Sequence, residues 1–228
     1  MNNPVVQKII EYPFKEMYKL YPDAIKSKAH SKKKSEDCEN LLKLDKWFQE
    51  DLIKTISSRK TPHITREELV DIMKWKLLRG KWRPRLIQLA ESNSSESVID
   101  VSSKAFSLAN KGQVLKAVEK STELKGVGPA TASAILAVGS STNCSFFADE
   151  VAEVFLQEKA TYTLKEYLQI NDSILEVRNH LNKENEEWTA HNVELTIWTY
   201  VILSNTNSSL LRRDEDRPEL QAPKKLRK

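Results

Sequence analysis

The stretch Glu123-Leu124-Lys125-Gly126-Val127-Gly128-Pro129-Ala130-Thr131-Ala132-Ser133-Ala134-Ile135-Leu136 decides how this 228-residue chain is read. Two glycines bracket one apolar residue, a pattern that reverses the backbone tightly because glycine accepts φ > 0. Pro129 suits a first helical position, where its missing N–H costs nothing. Thr131, Ala132, Ser133 and Ala134 keep the following helix slim, so a neighbouring helix can approach closely. The unpaired N–H groups at its start, at the positive end of the helix dipole, form a seat for an anion such as phosphate. The same residues also make a plain tight turn between two packed helices that binds nothing.

With Leu124 ahead of the glycines and Thr131-Ala132 behind them, the stretch resembles the helix-hairpin-helix motif. Its Leu-x-Gly-Val-Gly-x-x-Thr-Ala form is similar to that of the DNA glycosylase superfamily. The resemblance is confined to the hairpin and the carboxylate that follows it. It implies that the backbone around Gly126, Val127, Gly128, Ala130 and Thr131 faces the phosphates of double-stranded DNA. It also implies a catalytic aspartate downstream, and Asp149 stands twenty-three positions after Gly126, with Glu150 beside it. Such a carboxylate stabilises the positive charge that develops on a sugar as its base departs, and it can activate water. An Asp-Glu pair is equally the ordinary choice for the start of a helix. Bifunctional members carry a Schiff-base lysine four positions after the first hairpin glycine. Ala130 occupies that place, which implies no lyase chemistry of that type. Members with an iron–sulfur cluster use four cysteines, and this chain has two, Cys38 and Cys144.

Upstream, the run from Lys74 to Arg85 holds Lys74, Lys76, Arg79, Lys81, Arg83 and Arg85 with no acid, and Trp75 and Trp82 among them. Cations pair with phosphates, and an exposed aromatic stacks on a base or wedges beside it. Arg79, Lys81, Trp82, Arg83 and Arg85 are therefore candidate DNA contacts, while Trp75 is expected in the core. Thr65-Arg66-Glu67-Glu68 reads as a capping box for a helix that Gly80 ends. Thr163-Leu164-Lys165-Glu166 reads as a second one. Helical spacing also runs from Leu41 to Ile56, from Pro84 to Glu91, from the Asn93–Glu96 cap to Ala109, and from Thr189 to Ser204. Asn171-Asp172 reads as a cap dividing the segment between Thr163 and Leu181 into two helices. No stretch alternates with period two, so an all-α multi-helix domain with polar basic tails is expected.

Composition places the boundaries. Residues 1–38 are expected to be a short helical segment and an exposed Lys-rich linker, with Lys26, Lys28, Lys32, Lys33 and Lys34 close together. Residues 39–205 form the helix-hairpin-helix domain, and 206–228 a basic tail too poor in apolar residues to fold. Its end, Lys224, Lys225, Arg227 and Lys228, resembles a nuclear localisation signal. That points to the nucleus, with the cytoplasm as the alternative. The net charge of +4 resides in these two basic clusters and the remainder is acidic, which excludes a uniformly basic nucleic-acid binder but not a polarised one. The first twenty residues carry Lys8, Glu11, Lys15 and Glu16, unlike a signal peptide, and no apolar run is long enough for a membrane span.

Other chemistries find no support. His30, His63, His180 and His191 are far apart and pair with no cysteine at metal-ligand spacing, so no metal or cofactor is expected. There is no P-loop and no nucleophile elbow. Three classes of function remain: a non-catalytic DNA-binding module, a monofunctional DNA N-glycosylase using Asp149, and a helical protein-interaction domain. Protein partners are not legible in the sequence.

Overall fold

The structure, a computed structural model, describes residues 4–184 and 186–206. Its elements are α1 (Pro4–Ile9), α2 (Phe14–Lys19), α3 (Tyr21–His30), α4 (Ser35–Lys46), α5 (Leu52–Ser58), α6 (Arg66–Arg79), α7 (Arg85–Glu91), α8 (Ser95–Asn110), α9 (Val114–Ser121), α10 (Pro129–Gly139), α11 (Asp149–Leu156), α12 (Leu164–Leu181) and α13 (Ala190–Asn205). All regular structure among the described residues is helical, so the chain is an all-α multi-helix protein. The basic tail and its Lys224, Lys225, Arg227 and Lys228 lie outside the described residues.

Local chemistry sets many of the helix starts. Thr65 and Thr163 both form complete capping boxes, each hydroxyl accepting from the backbone N–H of a Glu three residues on, whose carboxylate accepts in return. Thr189 caps α13 and Ser94 caps α8 through the same kind of side-chain acceptor.

The centre of the core is α10. Every residue from Ala130 to Val138 is buried, and α5, α6, α8, α9 and α12 all pack on it. That crowding depends on its small side chains. A Cβ added at Gly139 would lie 2.1 Å from the Phe106 ring of α8, so the two helices touch where glycine leaves room. α13 is the second buried helix, with Val193, Ile197, Trp198 and Val201 inside, and it packs on α2, α3, α11 and α12.

Three expectations need correction. The Lys-rich stretch is no linker at its start: residues through His30 belong to α3, whose Ala24, Ile25 and Ala29 are buried against α13 and α4. The apolar residues of α1 and α2 likewise enter the common core, among them Val6, Ile9, Phe14 and Met17. The segment from Thr163 to Leu181 is a single helix. Asn171 does not cap anything within it, because its buried amide is engaged by the loop before α11. It accepts from the Ser145 backbone N–H (2.9 Å) and donates to the Asn143 carbonyl (3.0 Å). Lastly, the helix expected over Leu41–Ile56 carries a wider turn at Trp47–Asp51 between α4 and α5. Within that turn Phe48 lies flat on Trp75, ring centroids 3.7 Å apart, which buries Trp75 in the core as expected.

Candidate functional site

Between α9 and α10 the chain reverses within Thr122–Gly128. Gly126 has φ +81°, and a Cβ there would stand 2.9 Å from Leu89 Cβ and 3.1 Å from the Leu86 carbonyl oxygen. Both conformation and packing against α7 demand glycine. The turn is also pinned from the α7–α8 corner. Asn93 accepts from the Lys125 N–H (2.9 Å) and donates to the Lys125 carbonyl (3.1 Å). Gly128 differs. Its φ is −98° and a Cβ would meet nothing within 4 Å, so nothing in the fold itself requires glycine. Its carbonyl accepts from Thr131 and Ala132 and starts α10 (both 2.9 Å). Among the described residues, the N–H groups of Gly126, Gly128 and Ala130 have no hydrogen-bond partner. The side chain of Val127 is buried, so this residue offers only backbone to a ligand.

A cleft of about 290 Å³ opens beside this turn. Its walls are the end of α6 (Lys76, Leu77, Arg79), Gly80, Lys81 and Arg83 of the following loop with Leu86, Gly126 and Gly128–Thr131 of the turn, the segment Phe146–Glu150, and Thr161 with Tyr162. Three regions distant in sequence therefore meet: the basic run, the two glycines and Asp149.

The segment carrying Asp149 is held from below. Ser133 of α10 accepts from the Phe147 N–H (2.9 Å), and Tyr167 donates to the Ser145 carbonyl (3.2 Å), beside the Asn171 bonds described above. Asp149 then opens α11 with its carboxylate facing the cleft. Tyr162 donates to Asp149 Oδ1 at 2.6 Å, and Lys81 Nζ lies 3.5 Å from Oδ2 and 3.2 Å from the Tyr162 hydroxyl. Tyr162 reaches this position from a left-handed backbone, φ +63°. That conformation costs a non-glycine residue about 1–2 kcal/mol and is common where a site needs a side chain placed. The hydrogen bond to Tyr162 and the Asp149 charge hold the Lys81 ammonium above its ordinary range. Burial, then the bond to Asp149, pushes the Tyr162 phenol up. Both groups thus stay protonated donors toward the carboxylate at neutral pH.

Glu150 also lines the cleft, but its carboxylate is taken by Lys28 of α3 at 2.7 Å. Burial pushes this carboxyl up, yet the Lys28 ammonium and its hydrogen bond outweigh burial and hold it below the ordinary range. It is a paired anion that ties α3 to the cleft wall.

The basic run divides. Lys81 and Arg83 line the cleft, both lying over the Tyr162 ring, and Trp82 between them is 56% exposed. Arg85 is exposed but outside the cleft lining. Arg79 corrects the expectation of a surface contact, since it is 1% exposed. Its guanidinium pairs with the buried Glu194 (3.2 Å) and lies 4.1 Å over the Trp198 ring. Arg79 thus stands at the floor of the cleft and not on its rim, with Nε and Nη1 unpartnered among the described residues, and removing it would strand Glu194.

Sequence reasoning missed Tyr162 altogether, and it read Lys28 and Lys76 only as members of basic clusters. Tyr162 reaches the cleft, and Lys28 reaches Glu150 in its wall, only through tertiary packing, which no local pattern shows. Lys76 had a usable signal: it stands three residues before Arg79 and four before Gly80, on the same face of α6. Among the described residues no group of three or more His, Cys, Asp or Glu is placed to hold a metal, and no helix is long and apolar enough to cross a membrane. No family model, curated protein or solved structure matches the chain, and the chemistry of the cleft has to follow from its own residues.

Proposed function

We propose that this protein binds double-stranded DNA across the α9–α10 turn and the Lys81–Arg85 rim, and releases a damaged base by hydrolysis assisted by Asp149. One observation carries the reading: Asp149, Gly126, Gly128 and Ala130 of the turn, and Lys81 and Arg83 line one cleft. In this reading α9, the turn and α10 work as a helix-hairpin-helix. The unpartnered N–H groups of Gly126, Gly128 and Ala130 receive a phosphate, which the dipole of α10 favours. The open space in front of Gly128 lets a DNA backbone approach. Arg83, Arg85 and Trp82 extend the contact along the rim.

A glycosidic bond inside a stacked duplex is out of reach, so the base has to be drawn out into the cleft. Phe146, Phe147 and Tyr162 supply apolar walls for it. Asp149 then faces the sugar as positive charge develops there, and orients the water that completes the reaction. Tyr162 and Lys81 fix the carboxylate so that little reorganisation is needed at the moment of charge development. Their engagement of both Asp149 oxygens also favours the second reading, a DNA-binding module without catalysis. A nuclear site of action, read from the basic tail, belongs to the same proposal.

The test uses the full chain and fluorescent duplexes, one carrying a tetrahydrofuran abasic analogue and one undamaged, at two salt concentrations. Preference for the analogue and a steep loss of affinity with salt are expected. Asp149→Asn should leave binding in place and abolish base release from duplexes bearing deaminated, oxidised or alkylated bases. If the unmodified chain releases none of these bases and binds both duplexes equally, the non-catalytic reading replaces the enzyme. In that case Gly128→Leu should still weaken binding. No binding even at low salt would falsify both.

A further inference from the structure

Lys76 is the cleft cation that the mechanism above does not use. It lies partly buried on α6, one turn before the helix ends, with its side chain in the cleft wall. The other cations there are engaged: Arg79 by Glu194, Lys81 by Tyr162 and Asp149, Arg83 over the Tyr162 ring. Among the described residues, the Lys76 amine has no hydrogen bond or ion pair. An amine so placed is costly to keep charged and has its lone pair free to act once the proton leaves.

We propose that Lys76 is a nucleophilic amine that condenses reversibly with an aldehyde held in this cleft, the aldehyde being the ring-opened sugar left where DNA has lost a base. The identity of the aldehyde rests on the DNA reading above; the reactivity of the amine does not. The Nζ lone pair forms a C–N bond to the aldehyde carbon. The carbonyl oxygen departs as water with the two amine protons, leaving a C=N bond, and addition of water reverses the step. The linkage holds a reactive product in place until hydrolysis frees it. Burial, then the neighbouring Arg83 charge, lowers the Lys76 ammonium to about 8, against the opposing pull of Asp149. The neutral amine is therefore populated near physiological pH. Lys81 is the wrong amine for this step, since Tyr162 and Asp149 hold its proton on.

The experiment incubates the full chain with a duplex bearing a natural abasic site and sodium cyanoborohydride. The reagent delivers hydride to the C=N carbon and leaves a stable secondary amine. A covalent protein–DNA band is expected, mapping by peptide mass to Lys76, with a yield that climbs as pH is raised through about 8. Lys76→Arg, which keeps the charge, and Lys76→Met should both lose the band at protein concentrations that saturate the duplex. Binding of the tetrahydrofuran duplex with no adduct on the abasic one overturns the proposal and leaves the DNA reading standing. An adduct mapping to another lysine also overturns it. If neither duplex binds, the DNA reading falls, and reduction with pyridoxal 5′-phosphate decides the amine. Selective labelling of Lys76 supports its reactivity; indiscriminate labelling of surface lysines overturns it.

Discussion

Replacing Lys76 with methionine should make the protein more stable, because the native residue is held at a cost. Its ammonium falls from 10.5 to about 8 in the folded chain, mainly through burial. At ~1.4 kcal/mol per unit, keeping the charge folded at neutral pH costs about 3 kcal/mol. Methionine has a similar stem, no charge to desolvate and a shape that adapts to irregular space. The fall to about 8 already contains the opposing pull of Asp149, and the imperfect fit of methionine in the cleft wall takes back about 1 kcal/mol, so a net increase of about 2 kcal/mol is expected. For a chain of this size that corresponds to a rise in Tm of roughly 4–8 °C. The pH dependence makes the test sharp. Between about 8 and 10.5 the unfolded lysine still binds a proton that the folded one has released, so wild-type stability climbs across that window. The advantage of Lys76→Met should be complete below pH 8 and fade toward pH 10.5. Thermal and urea unfolding at pH 7 and pH 10 measure both quantities. An equal or lower Tm for the variant at pH 7 would refute the reasoning, and so would an advantage that ignores pH.

The two glycines of the turn should behave oppositely. Gly126→Ala meets both a left-handed backbone and a 2.9 Å contact with Leu89, so it should lose about 2–4 kcal/mol in urea unfolding. Gly128→Ala, with ordinary φ and open space, should lie within about 1 kcal/mol of the native chain. Asn171→Ala strands the buried Ser145 N–H and should cost about 1–3 kcal/mol. Faster hydrogen exchange over residues 143–148 should accompany it.

How far the sequence could be read depended on the range of the forces concerned. The capping boxes at Thr65 and Thr163 were legible because donor and acceptor lie three residues apart. The slim α10 was legible because its small residues run without interruption. Asn171 misled for an instructive reason: the side chain that caps a helix when neighbours are absent also pins a loop when one is packed against it. Arg79 misled likewise. Its place in a basic run suggested the surface, while helical phase turned it inward toward Glu194, 115 residues away. Asp149 was singled out, but its setting was not. Tyr162, Lys81 and the cleft exist only once α6, the turn and α11 have assembled.

The tie between Lys28 and Glu150 belongs to a wider pattern of closure. α1 packs on α12, and α2 and α3 on α13, so helices roughly 150 residues or more apart in sequence are partners in the fold. Contacts of such long sequence separation carry a large closure entropy and form slowly. The shortest chain that folds well is therefore expected to need α1–α3, rather than beginning at residue 39. A fragment cut there would expose the α2- and α3-facing side of α13 and leave the half-buried Glu150 carboxylate at the cleft without its counter-charge. Completion of the cleft wall thus depends on a long-range closure, the docking of α3 on α13, and not only on the helices that line it.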